Sequence, residues 1–160
     1  MPTPTYYPIA TLSAPGNSTE MQISNLGGYQ HLLIVMHYKF SNAGNYVYLN
    51  TSTTTQHPIQ WVYANTTTTA NELITQDNYI RLNPTGNLNS VWGVSRIFVP
   101  NYGETSTFKS FFVETGWKTS FNIGLGAGHI KSTSAITSVK HVSGSNFDAG
   151  STITAYGFNG

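Results

Sequence analysis

His31-Leu-Leu-Ile-Val-Met-His-Tyr-Lys-Phe40 is the stretch that decides the fold. Leu32, Ile34, Met36, Tyr38 and Phe40 fall on one side of an extended chain, and His31, Leu33, Val35, His37 and Lys39 on the other. A period of two with one wholly apolar side marks a strand lying on a core. Ser41-Asn-Ala-Gly-Asn45 supplies a turn, and Tyr46 to Asn50 reads as the returning strand.

A second stretch alternates as strictly. In Phe121 to Gly128, Phe121, Ile123, Leu125 and Ala127 face one way, and Asn122, Gly124, Gly126 and Gly128 the other. The apolar side is expected to face the core. The glycine side has no side chains, so another backbone or ring can approach it closely. That approach comes either from a neighbouring loop of the same chain or from another subunit.

Further strands are expected at Tyr6–Leu12, Thr19–Leu26, Ile59–Ala64, Tyr79–Leu82, Val91–Val99, Phe108–Glu114, Ile136–Val142 and Ser151–Phe158, with Gly, Pro and Asn breakers between most of them. Ile9 in the first and Ile153 and Tyr156 in the last suit strands that pair and tie down both ends. Many short strands between turn signals indicate an all-β sandwich or barrel. The one helix expected is Ala70 to Asp77, with Thr69 as its N-cap. The Thr-rich runs Thr51–Thr55 and Thr66–Thr69 read as an exposed excursion around Ile59–Ala64. Leu32, Ile34, Met36, Tyr38, Phe121, Ile123, Leu125 and Ile136 form the expected core. No domain boundary or repeat is visible, so residues 1–160 read as one domain.

Composition agrees with this class. The chain of 160 residues holds 22 Thr, 16 Ser and 15 Asn, while charged residues make up only 8% against about 25% in ordinary domains. Thr suits a pleated surface and Asn suits turns. Seven Lys and Arg are scattered against six Asp and Glu. No basic patch displaces counterions from a nucleic acid, and none is expected as a partner. Without cysteine there is no disulfide or thiolate metal site. No apolar run approaches the ~18 residues of a membrane span, and the start lacks a signal-peptide pattern.

Catalytic and metal motifs are not evident. His31, His37, His57, His129 and His141 lack metal-site spacing; His31 and His37 share a strand face but stand ~20 Å apart. No local pattern pairs two of the six carboxylates for glycoside hydrolysis, and there is no Gly-x-Ser-x-Gly elbow. Gly124-Leu-Gly-Ala-Gly128 has neither the spacing nor the following helix of a phosphate loop. Trp61 and Tyr63 share one strand face, where they form a ring platform for a glycan or a partner subunit, or else core packing.

The two ends of the chain resemble a family of small virion proteins of tailed phages. Ile9-Ala-Thr-Leu12, Met21-Gln-Ile-Ser-Asn-Leu26 and Tyr29-Gln-His-Leu-Leu-Ile34 carry the first match. Ala135-Ile-Thr-Ser-Val139, Asn146-Phe147, Gly150-Ser151 and Tyr156-Gly-Phe158 carry the second. Ala155 stands where the family prefers Leu, and His129-Ile130 where an aromatic often precedes the Ala-Ile-Thr strand. The resemblance spans roughly the first 40 and last 30 residues. It implies a jelly-roll-like fold and a capsid-associated or tail-fibre role, and it carries over no active residues.

The expectations are therefore specific. The fold is a two-sheet antiparallel β-sandwich of jelly-roll type with about 8–10 strands. The chain is a virion structural protein rather than an enzyme, most simply a capsid decoration (cement) protein made in the host cytoplasm and carried on the virion. Its partners are the major capsid protein and itself, as a homotrimer, with Gly124, Gly126, Gly128, Trp61 and Tyr63 at the interface. No cofactor, metal, nucleic acid or membrane is involved. The second reading is a receptor-binding tip that adheres to host glycans.

Overall fold

Alternation is the rule by which this chain builds its strands. The computed structural model describes residues 6–50, 55–64, 69–75, 77–82, 88–117 and 122–159. They form fourteen strands: β1 (Tyr7–Ser13), β2 (Glu20–Ser24), β3 (His31–Tyr38), β4 (Ser41–Ala43), β5 (Asn45–Leu49), β6 (Ile59–Ala64), β7 (Thr69–Ile74), β8 (Ile80–Arg81), β9 (Leu88–Asn89), β10 (Gly93–Val99), β11 (Lys109–Trp117), β12 (Asn122–Ile130), β13 (Ser138–Ser143) and β14 (Thr152–Phe158). No described residue lies in a helix.

Two antiparallel sheets pack as a sandwich. The large one runs β1-β14-β3-β10-β11-β12-β6-β7 and the small one β2-β13-β5-β8, with β4 and β9 paired separately. In β3, Leu32, Ile34, Met36 and Tyr38 are fully buried, as their spacing implies. Facing them from the small sheet are Met21, Ile23, Val47, Leu49, Ile80 and Val139, all in the same core cluster. Ile97, Phe111, Val113, Ile59 and Trp61 extend that core under the far half of the large sheet.

The two ends of the chain come together. β14 lies between β1 and β3, pairing Leu12 with Ile153 on one side and Ile34 with Ala155 on the other. β13 pairs with β2, setting Ile23 opposite Val139. The first and last strands thus tie both ends into one sheet. Gly150 turns the chain into β14 at φ +87°, a left-handed value that glycine adopts without strain. Gly157 lets the Tyr29 ring lie directly on the last strand.

At both ends the chain alternates between the two sheets. β10, β11 and β12 instead follow one another as a meander within the large sheet.

Two expectations are corrected. The helix at Ala70–Asp77 is absent: Thr69 begins β7, which runs to Ile74 and pairs with β6 from Ala64↔Thr69 to Ile59↔Ile74. A two-turn helix is marginal in water, whereas the open edge of β6 supplies a ladder partner for every other residue. The second correction is the facing of β12. Ile123 and Leu125 are 63% and 61% exposed, and Gly124 and Gly126 are buried. Both sides of this strand can lie against something. The Trp61 ring on β6 needs depth that only glycines leave, and that fixes which side turns inward. Phe121 and most of the two Thr-rich runs lie outside the described residues.

Candidate functional site

The two sheets differ on their outer sides. The small sheet alternates apolar-in and polar-out: Glu20, Gln22, Lys140, Tyr46, Tyr48 and Arg81 lie outside, with Lys140 5.4 Å from the Tyr48 ring centre and 3.4 Å from Glu20. That is the ordinary pattern of a sheet with one side in water. The large sheet does not follow it. Val94, Phe112, Ile123, Leu125, Val62 and Leu73 all project outward and are at least half exposed.

Strand pairing sets these residues in three rows. One row across β3, β10, β11, β12 and β6 is Val35, Arg96, Glu114, Leu125 and Val62. The next, toward one end, is His37, Val94, Gly116, Ile123 and Ala64. The third, toward the other end, is Leu33, Phe98, Phe112, Ala127 and Gln60. Arg96 and Glu114 are the only charged residues in these rows and they form an ion pair. They sit on β10 and β11, the fourth and fifth of eight strands.

Each end of this face holds a cleft. One, of about 490 Å³, is lined by Tyr6, Leu33, Phe98, Phe112 and Phe158 beside the Arg96–Glu114 pair. Its rings are in mutual contact: Phe98 stacks on Phe158 at 5.7 Å, and Phe158 meets Tyr6 at 4.7 Å. The other, of about 420 Å³, is lined by His37, Trp92, Val94, Trp117 and Ile123. There the His37 and Trp92 rings stack 4.3 Å apart. Large exposed apolar patches on a monomer mark a surface that something covers.

The residues expected at an interface lie on the opposite side of the same sheet. A Cβ on Gly126 would meet Ile59 Cδ1 at 2.8 Å and the Trp61 ring at 3.0 Å. On Gly124 it would meet Thr115 Cγ2 at 3.1 Å and the Trp61 ring at 3.3 Å, and on Gly128 the Pro58 carbonyl oxygen. The glycine backbone is approached closely, and the approaching group is the chain's own Trp61. Trp61 is fully buried, so it offers no ring platform; Tyr63 packs partly buried against the core. Alternation alone assigns no functional role to the outward residues Leu33, Val35, Phe98 and Phe112. Their signal was present in Leu32-Leu-Ile-Val35, Ile97-Phe-Val99 and Phe111-Phe-Val113, continuous apolar runs of the kind carried by strands covered on both sides.

Polar chemistry is held elsewhere. Tyr38 Oη, Ser95 Oγ and Thr115 Oγ1 form a buried hydroxyl chain of 2.8 and 2.7 Å. His141 Nε2 hydrogen-bonds the side-chain amide oxygen of Asn45, its ring lying between the Tyr38 and Phe147 rings, and burial pushes its pKa down to about 3. Burial takes His57 down to about 4. All six carboxylates are engaged. Glu20, Glu72, Asp77, Glu114 and Asp148 pair with Lys140, Arg81, Arg81, Arg96 and Lys39. Glu104 accepts the backbone N–H groups of Thr105 and Ser106, which lower its pKa. Among the described residues no three His or acidic side chains converge as a metal would need, and no helix is long and apolar enough to cross a membrane.

Compared with known protein families, curated proteins and solved structures, the chain matches none.

Proposed function

We propose that this protein is a non-enzymatic structural component of a tailed-phage virion, a decoration protein that packs on the major capsid protein and on itself. One observation carries the reading: the outer side of the small sheet is polar, while that of the large sheet bears an exposed apolar patch of Val62, Val94, Phe112, Ile123 and Leu125, as a subunit that packs on a neighbour would. Burying that apolar side stabilises the assembled state by mass action and leaves the free chain folded. The phage part rests on the resemblance at the two ends, whose segments meet as neighbouring strands β1, β14 and β3.

A glycan-binding tip is the second reading. The cleft with Tyr6, Phe98, Phe112 and Phe158 favours it, since rings beside a charged pair are a means of holding a sugar. Four rings and one ion pair leave few groups to bond sugar hydroxyls, so subunit packing is the better use of that cleft.

The test is occupancy. Purified protein added to shells stripped of accessory proteins is expected to load in hundreds of copies, and Leu125→Glu to load poorly. Attachment of a few copies at the tail would favour the adhesin, and failure to bind either would remove the virion reading.

A further inference from the structure

We infer that a second copy of this chain covers the outer side of the large sheet, in a two-fold pairing whose axis runs along the seam between β10 and β11. The inference rests on reading that face as an assembly surface and names what covers it.

Charge is the first argument. Arg96 and Glu114 face each other across the central seam and are 60% and 45% exposed. A two-fold axis along that seam lays each strand over its mirror position: β10 over the partner's β11, and β3 over the partner's β12. Arg96 then lies over the partner subunit's Glu114, and Glu114 over the partner subunit's Arg96. The pair becomes an alternating square of four charges, self-complementary as an isologous contact requires. The two charges already satisfy each other within the monomer, so a facing copy meets no net charge.

Shape is the second. In one row the operation sets Val94 over the partner's Gly116, a side chain over a hollow, and His37 over the partner's Ile123. In another it sets Leu33 over the partner's Ala127, large over small, and Phe98 over the partner's Phe112. In the central row Val35 meets the partner's Leu125. Interdigitation of this kind is how two sheets pack about 10 Å apart in a sandwich.

Area is the third. Eight strands at ~4.8 Å spacing and three outward positions at ~6.6 Å spacing give a face of roughly 34 by 20 Å. Its projected area is roughly 700 Å², and side-chain relief raises the accessible area above that. A specific interface of standard size takes about 800 Å² from each partner. A face of this extent is matched by one opposed sheet of the same size. A three-fold arrangement would divide it between two neighbours.

The experiment is the mass of the isolated protein in solution by light scattering and sedimentation. Two copies are expected at micromolar concentration. Val94→Glu is expected to weaken association about 100-fold by setting a charge opposite Gly116 in a dry contact, with an unchanged circular dichroism spectrum showing that the monomer still folds. The sharper test mixes two single variants. Arg96→Glu gives a copy with two acids at the seam, and Glu114→Arg a copy with two bases, so each alone is expected to be monomeric. Mixed, they are expected to form a heterodimer, because each acid then lies over a base. An ion pair that acted only within one copy would give no such rescue. A monomeric native chain, a mass of three copies, or a dimer indifferent to Val94→Glu would each overturn the pairing. A monomer that still loads onto shells would overturn it while leaving the decoration role intact. A dimer that never loads would do the reverse.

Discussion

Gly126→Ala isolates the question of which side of β12 faces inward. The new Cβ would stand 2.8 Å from Ile59 Cδ1 and 3.0 and 3.1 Å from two carbons of the Trp61 ring. Ile59 and Trp61 are 1% and 0% exposed, so neither can swing clear into solvent. Overpacking of this kind costs about 1–3 kcal/mol. Against it, replacing glycine stiffens the unfolded chain and returns about 0.4–1 kcal/mol. The net expectation is a loss of roughly 1–2 kcal/mol, a fall in Tm of roughly 2–8 °C for a chain of this size. Leu125→Ala, one residue away, removes a side chain that is 61% exposed and should change the stability of the dilute monomer by under about 1 kcal/mol. Thermal unfolding of both variants, followed by circular dichroism at a concentration where each is monomeric, gives the comparison. If Leu125→Ala were the costly change and Gly126→Ala the neutral one, the strand would face the other way and the outer apolar face would not exist.

Two further outcomes follow from the interior. Ile34→Ala should cost about 2–5 kcal/mol in urea unfolding, since Ile34 is wholly enclosed between the sheets; a cost below about 0.5 kcal/mol would remove β3 from the core. Stability should fall in mild acid. His141 is held neutral to about pH 3 in the folded chain but takes a proton near pH 6.5 when unfolded, so the unfolded state binds more protons between those values and gains from each step down in pH. By pH 5 that amounts to about 2 kcal/mol from His141, and His57, held down to about 4, adds to the same slope. A urea midpoint that stays constant from pH 7 to 5 would contradict the burial of both rings.

Much of the fold was legible because most strands repeat with period two and the chain marks its turns. β6 falls at Ile59–Ala64 as the sequence implies, and β1 pairs with β14 as expected, with Leu12 opposite Ile153 and Ile9 at a bulge. What failed did so for one physical reason. Alternation says that a strand has two sides but not which side faces the core when both are dry-compatible. In Phe121 to Gly128 the larger residues looked like the buried set, yet the decisive volume belonged to Trp61, over sixty residues earlier in the chain. The same long-range term turned Thr69–Ile74 from helix to edge strand, since only the neighbouring β6 supplies its partners. The outer face was hidden for a related reason. It is assembled from β3, β10, β11, β12 and β6, and no single segment displays it.

The place of β14 has a consequence for the order in which the molecule forms. β14 occupies the second position of the large sheet, with β1 outside it and β3 inside. During synthesis β1 and β3 leave the ribosome more than a hundred residues before the strand that joins them. Until β14 arrives, β3 has an unfilled edge and β1 has no partner in the large sheet. The meander β10–β12 needs only near neighbours and closes early, because short loops are cheap to close and long ones slow. Folding is therefore expected to run from the middle of these strands outward, with β1 and β14 protected last in pulsed hydrogen exchange. The first strand made is among the last to be placed, and the open edge of β3 is the nascent chain's main exposure to pairing with the wrong molecule.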